Sequence, residues 1–431
     1  MAAKDIPVKF STICVIGLGY IGLPTASTFA THGVRVFGVD NNPAVVKALQ
    51  SGQVHIYEPG LHEVVNLAVT SGNLTVQDKP SPADAFIIAV PTPFYDDKKA
   101  DMRFVASAAE SIVPVLREGN LVVLESTSPP LTTRNLVLPI LEKSGLKAGR
   151  DFKLAYSPER VLPGQILREL IENARVIGGI DRSSAEAGRD LYATFVRGEI
   201  VLTDSTTSEM VKLMENTYRD INIAAANEFS RLADRFGVDV WEAIQIANRH
   251  PRVKILNPGP GVGGHCISVD PWFFVESAPD ITPLILNARK VNDGQPEFAA
   301  HLVEKALTLA KGNKVACLGL AYKPNVDDLR ESPAVDVVKL LVATGREVTF
   351  FEPFKPDFEV TGARNCLSLE EAVKDAQVIV LLVNHTQFKN IDPIELAKTT
   401  GARTVVDTVN AWNQQDFTGA GFKVFRLGVG K

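Results

Sequence analysis

One cysteine sits in a frame of glycines. The stretch GPGVGGHCISVD, residues 259–270, places Gly259, Gly261, Gly263 and Gly264 before Cys266, and Asp270 four residues after it. Glycines at such density mark a backbone that something approaches closely. Cys266 has no CxxC partner and no histidine pair at metal-ligand spacing, so the segment does not read as a metal site. Two further polar residues, Lys212 and Asn216, are four apart in a helical pattern and therefore share a face. An ordinary exposed Lys/Asn pair explains them equally well from the helix alone.

Near the start, Gly17-x-Gly19-x-x-Gly22 follows an apolar run at 12–16 and precedes a helical pattern. A second apolar run ends at Asp40, eighteen residues after Gly22. Strand, glycine turn, helix and acid at this spacing read as a dinucleotide site. Gly17 permits the tight turn. Gly19 lets the backbone approach a pyrophosphate, which rests on the helix N-terminus with Tyr20, Ile21 and Gly22. Asp40 accepts hydrogen bonds from the adenosine ribose. Its charge repels a 2′-phosphate, and Asn41-Asn42-Pro43 offers no arginine to hold one, so the expected cofactor is NAD.

Four more strand-like runs follow, AFIIAVPTP (85–93), LVVLESTSPP (121–130), KLAYSPER (153–160) and ARVIGG (174–179). Ligands bind at the carboxyl ends of strands in a parallel sheet, which makes Thr92, Thr127 and Glu159 candidate site residues. For Thr92 a plain Thr-Pro turn is an equal reading. The middle of the chain changes character. STTSEMVKLMENTYRDINIAAANEFSRLADRFG predicts one long helix from a Ser/Thr cap to a stop at Gly237, and VDVWEAIQIAN a second. From about 311, KVACLGLAYKPNVDD, EVTFFEP, AQVIVLLVNH and TVVDTVNAW return to an α/β pattern without GxGxxG. The expected architecture is α/β: two doubly wound Rossmann-like domains, 1–204 and 301–431, joined by a helical region, 205–300.

With 431 residues, 45% of them hydrophobic and 22% charged, the chain is ordinary for a multidomain globular protein. A net charge of −5 argues against a dominant nucleic-acid or membrane surface. MAAKDIPVKF holds no apolar signal core and no apolar run spans a bilayer, so the expected location is the cytoplasm. Four cysteines do not make a disulfide framework; Cys14, Cys317 and Cys366 read as packing residues.

The pieces GLGYIGLPTA, VPTP, ESTSPP, YSPER, KLMENTYRD, GPGVGGHCISVD and GLAYKPNVDDLRESP, in this order, resemble the UDP-glucose/GDP-mannose dehydrogenase family over essentially the whole chain. SPERVLPG, NRHPRVKILNPGPGVGGHC and VDPWF are similar to the branch that acts on UDP-N-acetyl-D-mannosamine. UDP-N-acetylglucosamine and UDP-glucose are the alternative substrates, and a binding protein without catalysis is a remote one. The resemblance implies a four-electron oxidation at C6 of a UDP-sugar, with two NAD and a thiohemiacetal and thioester on Cys266. It implies that Lys212 and Asn216 hold the C6 oxygen, that Asp270 assists proton transfer, and that Glu159 and Thr127 handle the hydrolytic water. Thr92, Thr127 and Arg330 would contribute to the cofactor site. Arg160 and Val161 would line the sugar pocket with Lys212, Asn216 and Gly263. Arg219, His250 and Arg252 would contact the nucleotide sugar, as would Tyr322 and Lys323, with Arg252 reaching in from a second copy in a homodimer or larger assembly. Where UDP-glucose enzymes carry a second carboxylate, four residues after the SPE glutamate, this chain has Pro163. His265 is assigned no role, since adjacent side chains on a loop commonly point apart.

Overall fold

The computed structural model describes residues 10–430. The amino-terminal stretch read above as lacking a signal core lies outside them, Phe10 excepted. The chain forms two compact units, one running through Glu215 and including Trp272–Ser277, the other comprising Asn216–Pro271 and the chain from Ala278 onward.

The first unit is built on eight strands: β1 (Thr12–Ile16), β2 (Arg35–Val39), β3 (Leu74–Gln77), β4 (Ala85–Ile88), β5 (Leu121–Leu124), β6 (Lys153–Tyr156), β7 (Arg175–Gly179) and β8 (Ile200–Asp204). Their order in the sheet is β3-β2-β1-β4-β5-β6-β7-β8. The first six positions follow the doubly wound dinucleotide-binding order. Side chains alternate between the two faces of the sheet, and both faces are covered. Ile13, Val15 and Ile87 pack with Leu23 and Phe29 on one side, and Cys14, Phe86 and Ile88 with Val105 and Ile112 on the other. This double burial is why these strands read as continuous apolar runs.

One strand departs from the sequence reading, which set ARVIGG among parallel strands with ligands at their carboxyl ends. β7 is antiparallel to β6, pairing Ala155 with Gly179 and Tyr156 with Gly178. Its first residue, Arg175, therefore lies at the edge where β5 and β6 end.

The second unit holds β9 (Lys314–Leu318), β10 (Glu347–Phe351), β11 (Ala363–Asn365), β12 (Val378–Leu381), β13 (Thr404–Asp407) and β14 (Lys423–Arg426). They form a wholly parallel sheet in the order β11-β10-β9-β12-β13-β14, the same winding as the first. The helix Gln295–Ala310 lays Ala299, Val303, Ala306 and Leu307 onto this sheet. The long helix is continuous from Ser205 to Phe236 and stops at Gly237, whose φ of +69° suits glycine. The second predicted helix is Val240–Ala247.

Cys14, Cys317 and Cys366 are buried and unbridged, as expected of packing residues, and burial pushes the thiols of Cys14 and Cys317 up to about 12. Among the described residues, no helix is long and apolar enough to cross a membrane.

Candidate active site

The cofactor turn lies between β1 and the helix Gly22–Thr31. Its three glycines have different physical reasons. At Gly17 φ is +92°, and a Cβ there would stand 2.5 Å from the Ala89 carbonyl oxygen. At Gly22 a Cβ would stand 1.8 Å from the Gly17 carbonyl oxygen, where no side chain fits. At Gly19 a Cβ would meet nothing within 4 Å. The fold itself does not require Gly19 to lack a side chain, whereas a pyrophosphate seated against the turn does. Tyr20 and Ile21 lead directly into the helix. Asp40, just past β2, accepts from the Leu18 N–H at 3.0 Å and the Asn42 N–H at 2.9 Å. A carboxylate has about four acceptor sites, so capacity remains for ribose hydroxyls. These residues fit NAD.

The corresponding turn of the second unit does not. Glu352, just past β10 where Asp40 follows β2, is fully buried. It accepts from the N–H groups of Leu320 at 2.7 Å and Ala321 at 2.9 Å, and lies 3.0 Å from the His385 ring. A Cβ on Gly319 would meet the Val383 side chain at 2.7 Å. Glu352 is thus committed to the protein's own backbone and to His385, and the turn is closed by Val383.

At the carboxyl ends of β4, β5 and β6 the first unit gathers the predicted Thr92, Thr127 and Glu159. The Ser126 hydroxyl donates to the Val90 carbonyl at 2.7 Å, which fixes the loops bearing Thr92 and Thr127 to each other. Glu209, on the long helix, accepts from the N–H groups of Leu131 and Thr133, each at 2.7 Å, and from the Thr133 hydroxyl at 2.6 Å. That buried carboxylate anchors the segment after Thr127 one turn before Lys212, which is itself buried. Arg175 holds Glu159 in an ion pair, its side chain 4% exposed and that of Glu159 8%. Continuing the β6–β7 register past the last pair brings these two residues opposite each other. Arg175 also reaches Glu125 at 3.3 Å and the Ser157 hydroxyl at 3.1 Å, and stacks 4.1 Å over the Tyr192 ring. The Tyr192 hydroxyl donates to Glu125 at 2.6 Å. Burial pushes the Glu125 carboxyl up to about 7, although Arg175 favours its charge. The Arg160 guanidinium pairs with Glu215 at 2.6 Å, and Val161 is partly buried against the core. Buried Glu58 accepts from the N–H groups of Gly164 and Ile166, each at 2.8 Å, and so pins the loop that follows Val161.

In the second unit, the Asn216 amide donates to Asp270 at 2.5 Å. The Cys266 carbonyl accepts from the N–H groups of Val269 at 3.0 Å and Asp270 at 2.8 Å, so nucleophile candidate and acid share one tight turn. The glycine frame differs from expectation. A Cβ on Gly263 would stand 2.5 Å from the Glu331 carbonyl oxygen, and one on Gly264 2.8 Å from the Tyr322 ring. At these two positions the close approach is made by the protein's own 322–333 segment. Gly263 and Tyr322 are thus brought together, and the Gly264 N–H donates to the Arg330 carbonyl at 3.0 Å. The Arg330 guanidinium is held by Asp328 at 2.9 and 2.6 Å. Lys323 is half-buried on the same segment. Arg219 is exposed on the long helix, and His250 and Arg252 are exposed on the separate 248–254 loop.

The sequence reading missed Arg175, Glu125, Glu209 and Glu58, and it set aside His265, whose Nδ1 lies 2.9 Å from the Cys266 sulfur. A charge opening the otherwise apolar strand ARVIGG was the available signal for Arg175. Glu209 and Glu58 carried none, because their partners are backbone groups distant in sequence.

Sequence models of the UDP-glucose/GDP-mannose dehydrogenase family match most of this chain: the NAD binding domain at residues 11–196, the central domain at 206–294 and the UDP binding domain at 316–414. A UDP-N-acetyl-D-mannosamine dehydrogenase of Methanocaldococcus jannaschii is 49% identical, covering 97% of each chain. An NDP-N-acetyl-D-galactosaminuronic acid dehydrogenase of Ralstonia nicotianae is 47% identical, covering 95% of this chain and 98% of its own. The solved UDP-D-ManNAc dehydrogenase of Pyrococcus horikoshii superimposes with a TM-score of 0.91 at 41% identity, covering 97% of this chain and 99% of its own. With its cofactor turn, its two sheets of one winding and these full-length likenesses, the chain belongs to the UDP-glucose/GDP-mannose dehydrogenase family and is an NAD-dependent oxidoreductase of that family.

Proposed function

We propose that this chain oxidises the C6 hydroxymethyl group of UDP-N-acetyl-D-mannosamine to a carboxylate, supplying UDP-N-acetyl-D-mannosaminuronate for bacterial surface polysaccharides. The observation that carries this reading is the 49% identity, over nearly the full length of both chains, with a relative of that named activity. Pro163, in place of a second carboxylate, supports a substrate other than UDP-glucose. The Ralstonia relative at 47% identity favours a second reading, a nucleotide-linked N-acetylgalactosamine derivative.

NAD, when bound, supplies the two-electron acceptor, used twice per sugar. The chain's own groups do the rest. Lys212 and Asn216 donate to the C6 oxygen as charge develops on it, and Asp270, which accepts from the Asn216 amide, takes up the proton that the C6 hydroxyl releases. The Cys266 sulfur adds to the C6 aldehyde, which keeps the intermediate attached between the two oxidations and leaves a thioester. Glu159 takes a proton from the water that Thr127 positions, the water oxygen bonds to C6, and the thiolate leaves. Arg175, paired with Glu159, holds its carboxylate in place for that step. Arg160, Val161, Arg219, His250, Arg252, Gly263, Tyr322 and Lys323 serve the nucleotide sugar, and Thr92 and Arg330 the cofactor.

NADH release measured across purified UDP-sugars tests the reading. UDP-N-acetylmannosamine should give the highest kcat/KM, with two NADH per sugar and no free aldehyde. A higher value for a galactosamine, glucosamine or glucose derivative would reassign the substrate and leave the chemistry standing. Cys266→Ala should stop before uronic acid; uronic acid formed at an undiminished rate would remove the covalent step.

A further inference from the structure

We propose that His265 is the proton acceptor that converts the Cys266 thiol to its thiolate. The inference rests on the reading of Cys266 as the nucleophile. Its physical basis is the 2.9 Å approach of Nδ1 to Sγ, within hydrogen-bond reach of sulfur, between side chains whose backbone is fixed on both sides. Gly264, with φ +86°, turns the chain immediately before the pair. Its N–H is held by the Arg330 carbonyl, and its open side is filled by the Tyr322 ring. After the pair, Val269 and Asp270 close the turn onto the Cys266 carbonyl, and Ser268 reaches back to the Gly264 carbonyl. A loop so restrained folds two adjacent side chains to the same side.

Asp328 lies close enough to His265 for their charges to act on each other, and its own carboxylate is held by Arg330. Asp270 follows Cys266 by one turn and accepts from Asn216. An imidazole beside a thiol, with a carboxylate nearby, is an arrangement that favours thiolate and imidazolium over the neutral pair. The step balances within the protein. The S–H bond breaks, its electron pair stays on sulfur, and an N–H bond forms at Nδ1. The thiolate pair then makes the C–S bond while the carbonyl pair moves to oxygen. When the thioester is hydrolysed, the departing thiolate takes its proton back from Nδ1.

The test is the pH dependence of Cys266 alkylation by iodoacetamide in the full-length protein without substrate, followed by mass spectrometry of the Cys266 peptide. Buried Cys14 and Cys317 serve as unreactive internal controls. Wild type should alkylate readily below pH 7. His265→Gln, which keeps a polar side chain but does not titrate, should move the midpoint toward an ordinary thiol and slow alkylation at pH 6.5 about tenfold or more. His265→Ala should do the same, and unchanged circular dichroism and thermal unfolding of the full-length chain show that each variant is folded. Superimposable profiles for wild type and both folded variants would overturn the proposal. If the His265 shift is present but Cys266→Ala still makes uronic acid, the pair stands and the nucleophile reading fails. If Cys266→Ala is inactive and the profiles coincide, the nucleophile stands and His265 is a packing residue.

Discussion

At the residue scale, the glycine motif and its acid were legible because covalent geometry restricts them: a left-handed turn and a Cβ-free approach admit few other residues. The structure separates those needs in a way that can be measured. Gly22→Ala would drive a methyl group into the Gly17 carbonyl and should prevent folding or destabilise the first unit severely. Gly19→Ala meets open space, so its unfolding free energy without cofactor should stay within about 0.5 kcal/mol of wild type. Its affinity for NAD, measured by calorimetry, should nevertheless fall sharply. Equal loss of stability in both variants would show that Gly19 serves the fold and not the pyrophosphate. Asp40 makes a parallel case. A carboxylate facing a 2′-phosphate costs several kcal/mol, so kcat/KM for NAD should exceed that for NADP on the order of a hundredfold, and Asp40→Ala should narrow the gap. Equal use of both cofactors by wild type would place Asp40 away from the ribose. The His265–Cys266 contact was not legible, because side-chain direction on a loop follows from backbone angles set by distant contacts with Tyr322 and Arg330.

At the element scale, the central strands were legible and the direction of β7 was not. An apolar run shows that a strand is buried but carries no mark of which way it lies. The reversal has a consequence, since it delivers Arg175 to the edge where Glu125 and Glu159 stand. Removing that guanidinium, as in Arg175→Met, leaves two carboxyl groups buried beside each other, and such a change destabilises by about 3–5 kcal/mol. Glu125→Gln gives a finer test. Its carboxyl, raised by burial from an ordinary 4.5 to about 7, holds its proton more tightly folded than unfolded. Its Oε2 has no hydrogen-bond partner among the described residues, which suits a neutral carboxyl. The stability this confers is fully present below about pH 4.5 and is lost as pH rises to about 7. Unfolding free energies of wild type and Glu125→Gln should therefore diverge across that window, wild type losing about 3 kcal/mol relative to the variant as pH rises. A difference that stays constant with pH would mean that Glu125 is ionised throughout.

At the scale of the whole molecule, the long helix carries apolar side chains that the single chain leaves uncovered. Its length was legible from the polar start near Ser205 and the stop at Gly237, although the side chain that caps the first turn is Asp204, which accepts from the Thr207 N–H at 3.0 Å, and not the expected Ser/Thr. The sequence did not show which of its apolar residues the fold would bury. The structure leaves Met210, Met214, Tyr218, Phe229, Leu232 and Phe236 exposed, Tyr218 at 70% and Phe236 at 71%. With half-buried Ile221 and exposed Ala225 they follow one another at steps of three or four residues and form a stripe along the helix. A stripe of that length, rich in aromatic residues and methionine, has the composition of an interface core. A second copy of this chain is the expected occupant, so light scattering should report a homodimer or larger assembly at working concentrations. Tyr218→Glu together with Phe229→Glu would place charges on the stripe without touching the buried cores. The doubly substituted chain should shift toward the monomer while its first unit still binds NAD. Uronic acid formation separates two further possibilities. If Arg252 completes the sugar site of a neighbouring copy, activity should fall with the assembly and recover as protein concentration is raised. If wild type is itself a stable, active monomer, both the interface on this helix and the contribution of Arg252 across it are wrong.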